Sequence, residues 1–147
     1  MLASGHTPHF FEDLTLGMRE TLRKTFFDVD VADFARLCGD DNPIHLDADY
    51  AASTRFGGRI VHGLLTASLF STLLGTRLPG PGSIYLSQTL DFRAPVRLGD
   101  PIDVSVEVVE LVARGRRARF ACLARVGETV VLGGEAVVVV PARPAAA

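Results

Sequence analysis

The chain has 147 residues, with 15 Lys and Arg against 17 Asp and Glu and a formal net charge of -2. That length suits one ordinary globular domain, and the charge balance leaves no basic excess of the kind that nucleic acid or an anionic membrane surface requires. Hydrophobic residues make up 48% and charged residues 22%, enough for a real core without staples. Cys38 and Cys122 have neither a CxxC spacing nor the number for a disulfide framework, and read as buried free thiols of a reducing compartment. The N-terminus lacks the basic-then-apolar order of a secretory leader, so the expected setting is the cytoplasm. The longest apolar stretch, residues 63–75, is interrupted by Thr66, Ser68, Ser71 and Thr72 and is too short to cross a bilayer.

Residues 1–9 carry no apolar period and residues 142–147 are Pro/Ala-rich, so both read as tails on a single domain of residues 10–141. Residues 19–28, with Thr and Phe favouring extension, predict a first strand. Asp30 is placed to N-cap a helix over residues 31–38, which Gly39 ends. Residues 40–45 then read as a loop, since Asp41-Asn42-Pro43 is turn chemistry. Asp47 can cap a short helix through Ala52, and Phe56-Gly57-Gly58-Arg59 reads as another loop. Residues 63–76 predict a helix with no charged residue; it is apolar nearly all round and is expected to be buried on nearly all sides.

Beyond Pro79-Gly80-Pro81-Gly82 the period becomes that of strands. Ile84, Leu86, Gln88, Leu90 and Phe92 alternate with Tyr85, Ser87, Thr89 and Asp91, and Ile102, Val104, Val106 and Val108 alternate with Asp103, Ser105 and Glu107. Phe120, Cys122 and Ala124 share one face of residues 117–125. Residues 128–140 are a long β-branched run with Gly133-Gly134 inside it, where a bulge or bend is expected. One strand, a helical segment and four long strands make an α+β chain. The sheet has one face to bury and the apolar helix every face, and both needs are met if the sheet curls around the helix, which is the hot-dog fold.

Asp40 and His45 lie five positions apart across the Asn42-Pro43 turn, which can aim a carboxylate and an imidazole at one water. Hydration of a 2-enoyl thioester needs such a pair to activate water and protonate C2, plus a donor for the thioester oxygen as it takes on enolate charge. Spacing alone leaves ordinary roles open, a capping carboxylate and a satisfied polar histidine. Gly63 opens the apolar helix after Val61-His62; its N–H would face outward at the positive end of the helix dipole, and its missing Cβ admits a close ligand. It also reads as a glycine that simply lets the chain turn. Ser71 lies one or two turns along beside Ala67 and Ser68, where small residues leave room, or else its hydroxyl bonds back to the preceding turn. No Gly-x-Ser-x-Gly context surrounds it, which argues against a serine nucleophile. His62 reads as a second base or as a ring orienting the start of the helix. His6 and His9 have no metal-ligand spacing, and no Cys/His cluster or HExxH points to a metal.

Phe34-Ala35 through Gly39-Asp40-Asp41-Asn42-Pro43-Ile44-His45-Leu46-Asp47, followed by Arg59-Ile60-Val61-His62-Gly63-Leu64, resembles the hydratase motif of the (R)-specific enoyl-CoA hydratases, the MaoC-like dehydratases. The likeness continues through Ser68-Leu69-Phe70-Ser71, Pro79-Gly80, Gly82-Ser83-Ile84-Tyr85-Leu86, Phe92, Pro95-Val96 and Gly99-Asp100, covering nearly the whole chain. It implies a hot-dog fold, a homodimer or higher oligomer whose sheets join, and a trans-2-enoyl-CoA substrate hydrated reversibly and syn to an (R)-3-hydroxyacyl-CoA. It implies no cofactor, with coenzyme A arriving as part of the substrate. The resemblance makes Asp40 and His45 the holders of the catalytic water and the Gly63 N–H the donor to the thioester oxygen. Ser71 would lie beside the acyl pocket, with Asn42 and His62 as further substrate-binding candidates, while Asp41 falls at a variable position of the motif. Arg55, Arg59, Arg93 and Arg97 are candidates for the coenzyme A phosphates, although for each an ordinary solvated surface charge is the preferred reading. Short-chain members serving polyhydroxyalkanoate supply share this compact length. The rival readings are a hot-dog acyl-CoA thioesterase, a MaoC-like dehydratase of branched or carboxylated acyl-CoAs, and a non-catalytic thioester-binding module. The thioesterase is expected to carry a carboxylate on or beside the central helix, and residues 63–76 hold none.

Overall fold

A computed structural model describes residues 5–146; the outermost parts of both expected tails, residues 1–4 and 147, lie outside the described residues. After a 3₁₀ turn at Phe11–Asp13 come strand β1 (Arg19–Thr25), helices α1 (Asp28–Cys38), α2 (Pro43–Leu46), α3 (Ala48–Ala52) and α4 (Gly63–Thr76), and strands β2 (Ile84–Gln88), β3 (Asp91–Phe92), β4 (Pro101–Val112), β5 (Arg117–Val126) and β6 (Thr129–Val139). The strands form one antiparallel sheet in the order β1-β4-β5-β6-β2, with β3 also paired to β6.

The period-2 pattern of the long strands decides which face is inward. Ile102, Val104, Val106 and Val108 of β4, Phe120, Cys122 and Ala124 of β5, and Ala136 and Val138 of β6 are all buried. They close over Leu69, Phe70, Leu73 and Leu74 of α4, forming one core. Burying each large side chain of this set contributes roughly 1.5–3 kcal/mol, which fixes α4 against the concave face of the sheet. The architecture is a hot-dog fold.

Helix α4 departs from the expected complete enclosure. Its buried stripe is Leu69, Phe70, Leu73 and Leu74, whereas Leu64 is 60% exposed and Gly63, Ser68, Ser71, Thr72 and Gly75 also face outward. A sheet curling around a helix covers one side and leaves the other for something else. The open side carries no charge, and the hydroxyls of Ser68, Thr72 and Thr76 donate back to carbonyls within α4, which lowers its demand for water. Ile84, Tyr85 and Leu86 of β2 and Phe92 of β3 add further exposed apolar surface.

Local departures have local causes. Strand β1 stops at Thr25 because Phe26 turns into the core. Helix α1 starts at Asp28 rather than 31; its N-cap position is Phe27, and Asp30 acts from the first turn, its carboxylate accepting the Phe27 N–H at 2.8 Å. Gly39 ends α1 in the left-handed region at φ 83, as the sequence predicts. Residues 40–45 are not all loop: Pro43 starts α2 at a position where its missing N–H costs nothing, and the Asn42 side chain caps it by accepting the Ile44 N–H at 3.2 Å. Asp47 caps α3 as expected, through Tyr50 N at 3.0 Å.

The alternation over Ile84–Phe92 breaks into β2 and β3, so the four long strands expected after the helix are three long and two short. At the break Thr89 N–H donates to Glu135 O and Glu135 N–H to Thr89 Oγ1, both at 2.9 Å. A Cβ on Gly134 would stand 1.9 Å from Thr89 O, so the glycine permits a close backbone approach. The register irregularity of β6 against β5 falls at Val131, between the Ala124–Leu132 and Arg125–Val130 pairs, while Gly133 and Gly134 stay in register with Leu123 and Cys122, so the bulge expected at the two glycines lies earlier in the strand. Cys122 is buried but Cys38, at the end of α1, is exposed, which corrects the expectation of two buried thiols; both are free. The inner parts of the expected tails are bound to the domain. His9 N–H donates to Pro79 O at 2.7 Å, and Arg143 N–H to the Glu12 carboxylate at 2.9 Å, with an Arg143–Asp13 ion pair beside it.

Candidate active site

Two stretches of chain meet in front of α4. Gly39 turns the chain out of α1, the Asn42 cap starts α2, and this places His45 facing inward, only 8% exposed, while Asp40 before the cap remains exposed. The second stretch, residues 57–62, leads into α4. The two are sewn together: His45 Nδ1 meets Ile60 O at 2.8 Å, His62 Nε2 meets Asp40 O at 3.0 Å, Arg59 Nε donates to His45 O at 2.7 Å, and Ile60 N to Ile44 O at 3.3 Å. Arg59 also pairs with Asp28 of α1.

A carbonyl oxygen only accepts, so the ring nitrogen facing it carries the proton. His45 is therefore the Nδ1–H tautomer with its lone pair on Nε2, and His62 the Nε2–H tautomer. The rings stack with centroids 3.9 Å apart and planes 29° apart, and Phe34 of α1 lies against His62 at 4.7 Å. Atoms of Asp40, His45 and His62 lie within 4.8 Å of one another.

Burial holds the His45 imidazolium below its ordinary 6.5; the Ile60 carbonyl and the Asp40 carboxylate pull it up, and a charge on His62 pushes it further down. The net direction is downward, so His45 is neutral near pH 7 and available as a base.

These groups form one wall of a cleft of about 480 Å³, within the range of small-molecule sites. Gly63, Leu64 and Thr66 of α4 and Phe92 of β3 continue the wall, with Arg55 and Arg93 also in its lining. No side chain caps α4, so its first N–H groups are unspent where the helix dipole is positive. A Cβ on Gly63 would stand 2.6 Å from Phe92 Cε1 and 2.8 Å from Cδ1, so the glycine also makes room for the ring that covers it.

Of the residues singled out by sequence, Asp40, His45, His62 and Gly63 come together at the cleft. Asn42 does not join its lining; its side chain is the α2 cap. Ser71 lies eight residues beyond Gly63 on the open side of α4, also outside the lining, and Asp41 is exposed. Among the arginines, Arg59 is occupied by His45 O and Asp28, and Arg97 donates to the Phe56 carbonyl. Arg93 pairs with Asp91 at 2.9 Å, and Arg55 sits over the Phe56 ring at 4.8 Å. Sequence reasoning missed Thr66, 3% exposed with its hydroxyl unpartnered among the described residues, because a threonine there read only as a break in an apolar run.

A hot-dog scaffold here carries a carboxylate–imidazole pair at the head of its central helix, an arrangement suited to acid/base chemistry, and comparison with known proteins places it in a family. The MaoC like domain matches residues 13–131. A 3-hydroxybutyryl-CoA dehydratase of Methylorubrum extorquens is 59% identical over 132 residues, covering 90% of this chain and 84% of that protein. An (R)-specific enoyl-CoA hydratase of Rhodospirillum rubrum is 47% identical over 135 residues, covering 92% and 94%. The solved (R)-hydratase from A. caviae involved in PHA biosynthesis superposes with a TM-score of 0.86 at 46% identity, covering 88% of this chain and 99% of that one. The chain belongs to the MaoC-like dehydratase family and is an enzyme of the hydratase/dehydratase class.

Proposed function

We propose that the chain is an (R)-specific 2-enoyl-CoA hydratase that adds water reversibly and syn to a short trans-2-enoyl-CoA, giving an (R)-3-hydroxyacyl-CoA. The observation that carries this reading is the pairing of the Asp40 carboxylate with a neutral His45 at a cleft that also holds the head of α4. Asp40 and His45 Nε2 hold one water. As its oxygen bonds to C3, the pair accepts one proton and a proton returns to C2 from the same side, which makes the addition syn. The electrons of the C2–C3 double bond pass to the thioester oxygen as an enolate, and the Gly63 N–H offsets that charge, an interaction that strengthens as the transition state is reached. The same steps in reverse dehydrate a 3-hydroxyacyl-CoA.

The relative named 3-hydroxybutyryl-CoA dehydratase supports a four-carbon acyl group, handled in either direction. Such a reaction calls for no metal or redox cofactor, with coenzyme A entering as part of the substrate. The thioesterase reading is disfavoured by α4, which carries no carboxylate. The open side of α4 and the exposed Ile84, Tyr85 and Leu86 along edge strand β2 suit a second copy of the chain, so a homodimer is part of the proposal. No helix among the described residues is long and apolar enough to cross a membrane, and the proposed setting is the cytoplasm. The test is to mix purified protein with crotonyl-CoA and follow the conjugated absorbance alongside a thiol reagent. Hydration lowers the absorbance without free thiol; thiol release without hydration would install the thioesterase instead.

A further inference from the structure

We infer that His62 is a positioning residue for this reaction, holding Asp40 through its main-chain carbonyl and setting the ring of His45 by stacking. The inference rests on the hydratase reading above and concerns a residue that the mechanism does not otherwise use.

The geometry is reciprocal. His45 belongs to the first stretch and donates to a carbonyl of the second, at Ile60; His62 belongs to the second and donates to a carbonyl of the first, at Asp40. The two rings stack between the stretches, so each histidine braces the segment that carries the other. Asp40 needs such a brace. Its side chain is exposed, and the one bond found for its carboxylate among the described residues is a long one, 3.3 Å from Asn42 N. The direction of that carboxylate is therefore set largely by its backbone.

Two observations separate this role from the others open to His62. The residue is 2% exposed, its Nε2 faces a carbonyl, and its Nδ1 is buried without a partner among the described residues. A ring with one nitrogen engaged and the other sealed offers no nitrogen to substrate or to water, so it is neither a second base nor a polar substrate contact. Nor is packing a sufficient reason for a histidine. Between Phe34 and His45 a phenyl ring would fill the same space without leaving a buried acceptor unpaired, which costs about 1–3 kcal/mol. What an imidazole supplies here, and a phenyl ring does not, is the N–H aimed at Asp40 O.

The experiment compares wild type, His62→Phe and His62→Gln in steady-state hydration of crotonyl-CoA, with thermal melts as a folding control. The phenyl ring keeps the stack and loses the donor; glutamine places an N–H near the position of Nε2. The clasp predicts that His62→Phe loses about 10–100-fold in kcat, the scale of a small misplacement of catalytic groups. Its KM should stay within about threefold, and His62→Gln should recover most of the loss. Wild-type kcat in folded His62→Phe, equal losses in both variants, or a loss confined to KM would each overturn the assignment, the last by making His62 a substrate contact. A second readout needs no variant. In ¹⁵N-histidine-labelled wild type at neutral pH, His45 should be the Nδ1–H tautomer and His62 the Nε2–H tautomer, and the same tautomer on both would overturn the clasp even if His62→Phe fails to fold. Wild type inactive on crotonyl-CoA would defeat the hydratase reading instead, leaving the tautomer result to decide the clasp.

Discussion

Replacing Gly63 by alanine puts one methyl group at the point where substrate, helix and ring are expected to meet. The new Cβ would lie 2.6 Å from Phe92 Cε1 and 2.8 Å from Cδ1, whereas carbon atoms in contact sit at roughly 3.5–4.0 Å. The ring must therefore retreat by about 1 Å. Phe92 is 53% exposed and free to swing, so the overpacking cost belongs at the low end of about 1–3 kcal/mol. Alanine also loses less chain entropy than glycine, an offset of about 0.4–1 kcal/mol. Stability should then change by no more than about 1 kcal/mol, a few degrees in Tm for a chain of this size. Activity should fall far more, because the methyl stands where the thioester oxygen has to come within about 3 Å of the Gly63 N–H; losing one such donor costs about 10²–10³-fold in kcat. Melting curves and crotonyl-CoA hydration measure the two effects on the same samples. The double variant Gly63→Ala/Phe92→Ala separates the causes: it relieves the collision but keeps the methyl, and should remain as slow as the single variant. Wild-type kcat in folded Gly63→Ala would refute the role given to this N–H, and full recovery in the double variant would transfer the effect to the position of the Phe92 ring.

Further outcomes follow from the same geometry. Burial lowers the pKa of His45, so its neutral form persists as pH falls through 6.5; the acidic limb of kcat/KM should have its midpoint below that value, and a midpoint above 7 would contradict the assignment. The linked stability term has the same sign: it is present above about 6.5, where His45 is neutral both folded and unfolded, and is lost as pH drops through the folded value, because the unfolded chain binds the proton first. Arg59→Lys keeps a charge for Asp28 but cannot also reach His45 O, and with a side chain only 19% exposed it should lose about 1.5–3 kcal/mol in urea melts together with kcat. Leu86→Lys, on the exposed edge of β2, should convert the proposed dimer to monomer by light scattering; a monomeric wild type would remove that part of the proposal.

Much of this architecture is written in side-chain periodicity. The alternation from Ile102 to Val108 puts its apolar members inside, and the bounds of α4 fall where an uncharged run starts and stops. Gly39 marks the end of α1 because few other residues accept its backbone angles. What escaped depends on things a linear pattern does not encode. The uncharged face of α4 records that something apolar belongs there, not that the chain's own sheet provides it. The split of β2 from β3 and the spacing at Gly134 come from one Thr89 carbonyl approaching β6, a contact between residues 45 apart. In the site, the Asp40–His45 pair is visible because its side chains act. The supports of that pair are backbone carbonyls of Asp40, His45 and Ile60, and a carbonyl has no signature in sequence. The motif likewise does not encode that the Asn42 side chain caps α2 or that Ser71 faces the open side of α4.

The claim on which the rest depends is that Asp40 and His45 hydrate a 2-enoyl thioester at the head of α4. The most direct measurement is the rate of crotonyl-CoA hydration by Asp40→Asn and His45→Gln, with Asp41→Asn as the neighbouring control and folding verified in each. Loss of about 10²–10⁴-fold in the first two is the usual scale for general acid/base groups, and near-normal turnover in the third is expected because Asp41 lies outside the cleft lining. Near-normal turnover in folded Asp40→Asn and His45→Gln would contradict the account.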